Sequence, residues 1–123
     1  MKTDSLSFKE WLILTGSPKK FNRKIKALNF GLFETESGYT VYLIGSKTYF
    51  EDDPEWAINE GYAPKIKYFN FNQKEKLKWT EFEHQIKTKI EEYLNQDKDS
   101  KSIYNKVEHI TIGFDEGSLT VIK

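Results

Sequence analysis

Two histidines, nineteen carboxylates and no cysteine set the side-chain chemistry open to this chain. Without cysteine there is no thiolate nucleophile, no disulfide and no Cys-based zinc site. His84 follows Glu83 in a helical stretch, and His109 stands in an alternating strand on the face of Val107 and Thr111. The two do not form the i, i+4 pair that places two imidazoles on one zinc ion. Both read as structural or surface histidines. A small hydrolase or nucleotide-binding enzyme would need one of them in a cleft beside an acid. The tightest carboxylate cluster is Glu51-Asp52-Asp53-Pro54-Glu55, with Glu60 close behind. It lacks the D-x-[DN]-x-[DN]-G spacing of a calcium loop. Nothing marks one of its acids as buried, as acid/base work on a glycoside requires. Gly38, Gly45, Gly113 and Gly117 fit turns and strand ends, and no phosphate-cradling glycine motif or nucleophile elbow occurs. These residues predict no metal, no cofactor and no catalysis.

The charges are segregated along the chain. Nineteen basic and nineteen acidic residues cancel, so the net charge is +0. Yet residues 1–33 carry seven Lys/Arg against two acids, and residues 34–60 carry seven acids against Lys47 alone. Residues 61–80 are basic again and 81–100 acidic. Dense blocks of one sign repel themselves unless they face solvent or an opposite charge. The basic cluster is Lys19, Lys20, Arg23, Lys24 and Lys26, with Phe21 among them. It is short, and the neutral total argues against nucleic acid as the partner. Trp56, inside the acidic run, has two compatible roles. Its indole can tuck into the core and hold the loop, or it can join the acids as a hot spot for a basic partner.

The elements that must position these residues follow from periodicity. Ser7 with Glu10 three residues on is a capping-box pattern, and it predicts a short helix over 5–14. Leu6, Phe8, Trp11 and Leu14 would share its buried face, and Gly16-Ser17-Pro18 would end it. Leu28, Phe30 and Leu32 alternate, Glu36-Ser37-Gly38 turns, and Tyr39–Gly45 returns as a β-branched and aromatic run. That is an antiparallel hairpin. Thr48-Tyr49-Phe50 reads as a further short strand, Pro54 as the first residue of a helical turn, and Lys67–Phe71 as another strand. Trp79, Phe82, Ile86, Ile90, Tyr93 and Leu94 form one stripe, which predicts a long amphipathic helix over 75–96. Val107–Phe114 and Ser118–Ile122 make a closing hairpin.

The fold class is therefore α+β. A mostly antiparallel sheet of about five to six strands carries an N-terminal short helix and one long amphipathic helix. With 123 residues, the chain is a single domain over 1–123 that can bury its own core. Aromatics at 15% suit a core of large rings. The longest apolar run, Trp11–Leu14, is far shorter than a membrane span. Met1-Lys2-Thr3-Asp4 opens without an apolar signal stretch. A cytoplasmic protein with no membrane contact is the expectation.

Two stretches carry a resemblance. One runs Tyr39-Thr40-Val41-Tyr42-Leu43-Ile44-Gly45-Ser46-Lys47-Thr48-Tyr49, then Glu51-Asp52-Asp53-Pro54-Glu55-Trp56-Ala57, then Tyr62-Ala63-Pro64. The other is Ile112-Gly113-Phe114-Asp115-Glu116-Gly117-Ser118-Leu119. Together they resemble small bacterial proteins of the immunity type, found beside polymorphic-toxin and contact-dependent-inhibition genes. The chain departs from that pattern at Phe50 and Gly61, where the pattern carries acids. The resemblance implies a non-enzymatic protein that neutralises a cognate toxin by blocking its active site. Its partner would be a protein, a basic toxin domain. The residues expected at that contact are Glu51, Asp52, Asp53, Glu55 and Trp56, with Glu60 at the rim. The competing expectation is an interaction or regulatory domain with no toxin partner.

Overall fold

A computed structural model of the chain describes residues 6–58, 60–72, 77–115 and 117–123. Helix α1 spans Phe8–Thr15 and starts where the capping box requires. The Glu10 amide donates to Ser7 Oγ at 3.1 Å, and the Ser7 amide donates back to Glu10 Oε1 at 2.9 Å. The bond from the Ser7 backbone, with the Ser7 hydroxyl beside it, holds the Glu10 carboxyl below the usual glutamate range. The helix buries Phe8, Trp11, Leu12 and Thr15, not the predicted Leu14, which is 45% exposed. Packing is set by the i, i+3, i+4 spacing of Phe8, Trp11, Leu12 and Thr15, and Leu14 falls off that stripe. Gly16 then lets the chain pass Tyr104 closely: a Cβ there would lie 2.5 Å from the ring.

Strands β1 (Ala27–Thr35) and β2 (Gly38–Ser46) form the predicted hairpin, in register from Ala27 opposite Ser46 to Thr35 opposite Gly38. Strand β3 (Tyr68–Asn72) adds antiparallel to β2. Helix α2 spans Trp79–Gln96, and residues 75 and 76 of its predicted start lie outside the described residues. A second short helix, α3 (Ile103–Lys106), follows in a stretch to which the sequence assigned no element. Strand β4 (His109–Phe114) then lies parallel to β1, and β5 (Thr120–Val121) closes antiparallel to β4. The sheet order is β3-β2-β1-β4-β5, an α+β arrangement with one parallel pair among antiparallel ones. The crossover through α2 and α3 makes that parallel pair possible, because a tight turn cannot.

One face of the sheet carries the aromatic core. Leu28, Phe30, Leu32, Tyr39, Val41, Leu43, Ile110 and Ile112 meet Trp11 from α1, Phe82, Ile86 and Ile90 from α2, and Tyr104 from α3. Tyr39 stacks on Phe82 at 4.3 Å between centroids, and Phe30 on Tyr104 at 6.1 Å. Trp79 belongs to the predicted stripe but is 57% exposed. It stands at the first residue of α2, meets Phe114 edge-on at 5.6 Å, and so overhangs the core. No described helix is long and apolar enough to cross a membrane.

The opposite face of the sheet is also covered. Asn29, Thr40, Ile44, Ser46 and Thr111 on that face are buried. Polar members satisfy each other: Thr111 Oγ1 donates to Asn29 Oδ1 at 2.8 Å, and Thr40 Oγ1 to Asn70 Oδ1 at 2.6 Å. Gly31 leaves room for the Tyr42 ring, since a Cβ at 31 would lie 2.0 Å from Tyr42 Cζ. The Tyr42 hydroxyl in turn donates to Asp115 Oδ1 at 2.5 Å. Burial, with this bond and the Asp115 charge, pushes the Tyr42 phenol well above the tyrosine range, so it stays a donor.

Candidate functional site

The segment after β2 crosses this second face and carries the acidic cluster. It leaves the sheet at Ser46, where the Thr48 amide donates to Ser46 Oγ at 3.1 Å. That turn replaces the predicted strand Thr48–Phe50, and the backbone there is irregular. Tyr49 instead faces inward and stacks flat on His109, 3.8 Å between centroids and 9° between planes. Its other neighbour is Trp56 at 5.2 Å. The loop next turns at Phe50–Asp53, with the Asp53 amide donating to Phe50 O at 3.2 Å. Asp53 Oδ1 accepts the Glu55 amide at 3.0 Å. A short 3-10 helix, Pro54–Ile58, begins there, with proline at its first position as predicted.

Trp56 is the anchor of this segment. It is 2% exposed, beneath the 3-10 helix, and is not part of the main apolar cluster. It therefore takes the first of its two expected roles, an indole tucked beneath the loop that holds the loop down. The acids it fixes are outside: Glu51, Asp52, Asp53 and Glu55 are all exposed. Among the described residues none of these four has an ion-pair partner within 4.0 Å. Glu60 differs. It pairs with Lys67 at 3.2 Å, at the entry to β3. Partial desolvation pulls the Lys67 ammonium down, but the hydrogen bond and charge of Glu60, with Tyr68, outweigh it and hold it above the usual lysine value. Lys67 also lies over the Tyr42 and Tyr68 rings at 5.6 and 5.3 Å. Glu60 thus ties the far end of the loop to the sheet, rather than standing free.

Two apolar residues bracket the free acids. Phe50 is 57% exposed and Ile58 is 78% exposed. Neither was expected at the contact, although Phe50 marks a departure from the acidic pattern. The available signal was their position, as apolar residues flanking the acidic cluster. A shallow cavity of about 190 Å³ lies beside Phe50, lined also by Glu51, Asp52, Trp56 and Val121. Another of about 380 Å³ lies beside Ile58, with Glu55, Tyr42 and Asp115 on its walls. Four exposed carboxylates on a backbone that Trp56 holds down raise a negative potential, and the two apolar side chains offer area to desolvate.

The histidines are apart from one another. His84 is exposed on α2. His109 lies under Tyr49, with its Nε2 3.9 Å from Glu108 Oε2. Its ring is used in stacking, which gives it a packing role. Among the described residues no three His, Asp or Glu side chains are grouped to hold a metal ion.

No protein-family profile, curated protein or solved structure matches the chain. The functional reading rests on the geometry above.

Proposed function

We propose that the chain is a non-enzymatic binding protein of the immunity type. It acts in the cytoplasm, where its 50–58 loop covers the active site or substrate groove of a basic toxin domain. The observation that carries this reading is the pinned, unpaired carboxylate set, Glu51, Asp52, Asp53 and Glu55, between exposed Phe50 and Ile58. A fixed acidic patch speeds encounter with a cationic protein and selects against acidic ones. Preorganisation lowers the ordering cost of binding. Flanking apolar side chains supply contacts that persist at high salt, where the charges are screened.

The test is co-expression with the protein encoded immediately upstream, followed by size-exclusion chromatography and a growth assay. A 1:1 complex with a partner that is toxic alone supports the reading. Asp52→Lys with Asp53→Lys should then slow association by about 10-fold or more at low salt and flatten its salt dependence. Growth arrest that the chain does not relieve, with no complex, would reject the immunity reading. An interaction domain without a toxin would then stand in its place. A complex indifferent to both reversals would reject the loop as its site.

A further inference from the structure

A second charged surface is built at the end of the sheet where β1 and β4 begin and β2 ends. Arg23, Lys24, Lys26, Lys47 and Lys106 line a groove of about 400 Å³ there, with Glu108 its one acid. They come from three separate segments: the stretch before β1, the residue after β2, and the last residue of α3. Among the described residues none of the five cations is in an ion pair.

The platform beneath them is fixed. Ile25 is 4% exposed, and its side chain reaches Gly45 and Gly61. The Lys26 amide donates to Ser46 O at 2.9 Å, and Lys26 O accepts from the Glu108 and His109 amides at 3.1 and 3.3 Å. The Lys24 amide donates to Asn22 Oδ1 at 2.9 Å. Like charges are thus held together by backbone and by one buried side chain, against their own repulsion.

We infer that this groove binds the phosphodiester backbone of a nucleic-acid strand. Three features choose that partner. The cation set exceeds what one phosphate neutralises, so the ligand carries several charges in a row. No aromatic side chain lines the groove, so bases are not stacked and sequence is not read. A protein partner would need an apolar centre to desolvate, and the one apolar lining residue, Ile25, is buried. The acidic loop of a second copy would also match in charge. Such a pairing would appear as self-association of the free chain, which the experiment below reads. The neutral total is no objection, because it sums this groove with the acidic loop.

The experiment is fluorescence anisotropy of a labelled mixed-sequence DNA strand of about 12 nucleotides, the span one small domain covers. Binding is expected at low salt and lost as salt rises. Neutralising three to five phosphates gives a slope of log K against log salt of roughly −2 to −3.5. Lys24→Glu with Lys47→Glu should weaken binding at least about 10-fold, with the far-UV spectrum unchanged. Lys19→Glu with Lys20→Glu, outside the groove lining, should change it less than about threefold. Absence of binding by the native chain at low salt overturns the proposal, as does equal loss in the two double variants. Inorganic tripolyphosphate is the second probe. If it displaces the strand at equal phosphate concentration, and affinity does not grow with strand length, the groove is a small-anion site and the strand proposal fails. If the free chain self-associates at low salt and Lys47→Glu and Asp52→Lys each abolish it, the groove seats a second copy, and the proposal fails likewise.

Discussion

Replacing Trp56 by alanine should release the acidic loop while leaving the sheet folded. A buried tryptophan removes roughly 150–250 Å² from water, about 4–6 kcal/mol at ~25 cal/mol per Å², as an upper value. Against it stands the ordering of the loop backbone, which takes up gains of this size at about 1–2 kcal/mol per residue. The Trp56 burial, the Tyr49–His109 stack and the Asp53 cap together therefore leave the loop docked by a small margin, on the order of 1 kcal/mol. A loop held by so little detaches when its anchor is cut, and global stability falls only by that margin. For a chain of this size that is a drop in Tm of about 3–6 °C. Were Trp56 part of the cooperative core, the cost would be the ~3–5 kcal/mol of a core truncation, and the drop roughly 10–30 °C. A thermal melt reads the difference. Hydrogen exchange of amides 50–58, or cleavage by a glutamate-specific protease at Glu51 and Glu55, reports detachment directly. A large drop in Tm with those amides still protected until the melt would refute the reasoning. The partner association rate should also fall in Trp56→Ala, although every carboxylate remains.

Three further outcomes follow from the packing. Tyr42, Tyr62, Tyr93 and Tyr104 are all held above the ordinary tyrosine value, first by burial. A raised folded value means their contribution is fully present below about pH 10 and is lost as pH rises beyond it. Near-ultraviolet titration should therefore leave these four phenols protonated well above about pH 10, with their ionisation coinciding with unfolding. Ionisation of all four near pH 10 in the folded chain would contradict this. Gly31→Ala should cost about 1–3 kcal/mol by displacing the Tyr42 ring and its bond to Asp115. The cost should shrink in a Tyr42→Ala background, and strict additivity in that cycle would rule the contact out. Ser7→Ala should lower stability by about 1 kcal/mol through loss of the α1 cap, measured by urea unfolding. The Glu10 half of that box has a lowered folded value, so its contribution is present above the ordinary glutamate range and is lost as pH falls through the lowered value.

The parts of the fold that were legible in the sequence are those whose signal is local. Ser7 and Glu10 announce α1 because a capping box closes within four residues. Leu28, Phe30 and Leu32 announce β1 because the buried face repeats every second residue. The second face was not legible for the same reason. Asn29, Gly31 and Thr111 look like solvent-facing residues, and the segment that buries them is remote in sequence. Helix α3 has four residues, too few for a period to show. Trp79 fits the stripe of α2, but periodicity assigns a face and does not say where the core beneath it stops. The acids of the site were visible as a cluster. That Glu60 is spent on Lys67 was not, because ion pairing across an irregular segment follows no fixed spacing.

Net charge is a blunt guide to what a folded surface can meet. A total of +0 counts every residue once, whereas a partner meets one patch. Here the fold keeps opposite charges apart. The free acids ride on a loop pinned by Trp56, and the cations on a platform pinned by Ile25. In each case one buried apolar side chain holds a set of like charges that solvent alone would let disperse. Such an arrangement costs repulsion in the free protein, and that cost is recovered when an opposite charge arrives. The consequence can be measured without any partner. Charge reversal within either patch, Asp52→Lys or Lys47→Glu, should raise thermal stability slightly at low salt and lose that effect as salt screens the patch. A destabilisation that persists in high salt would mean that the side chain is doing something other than repelling its neighbours.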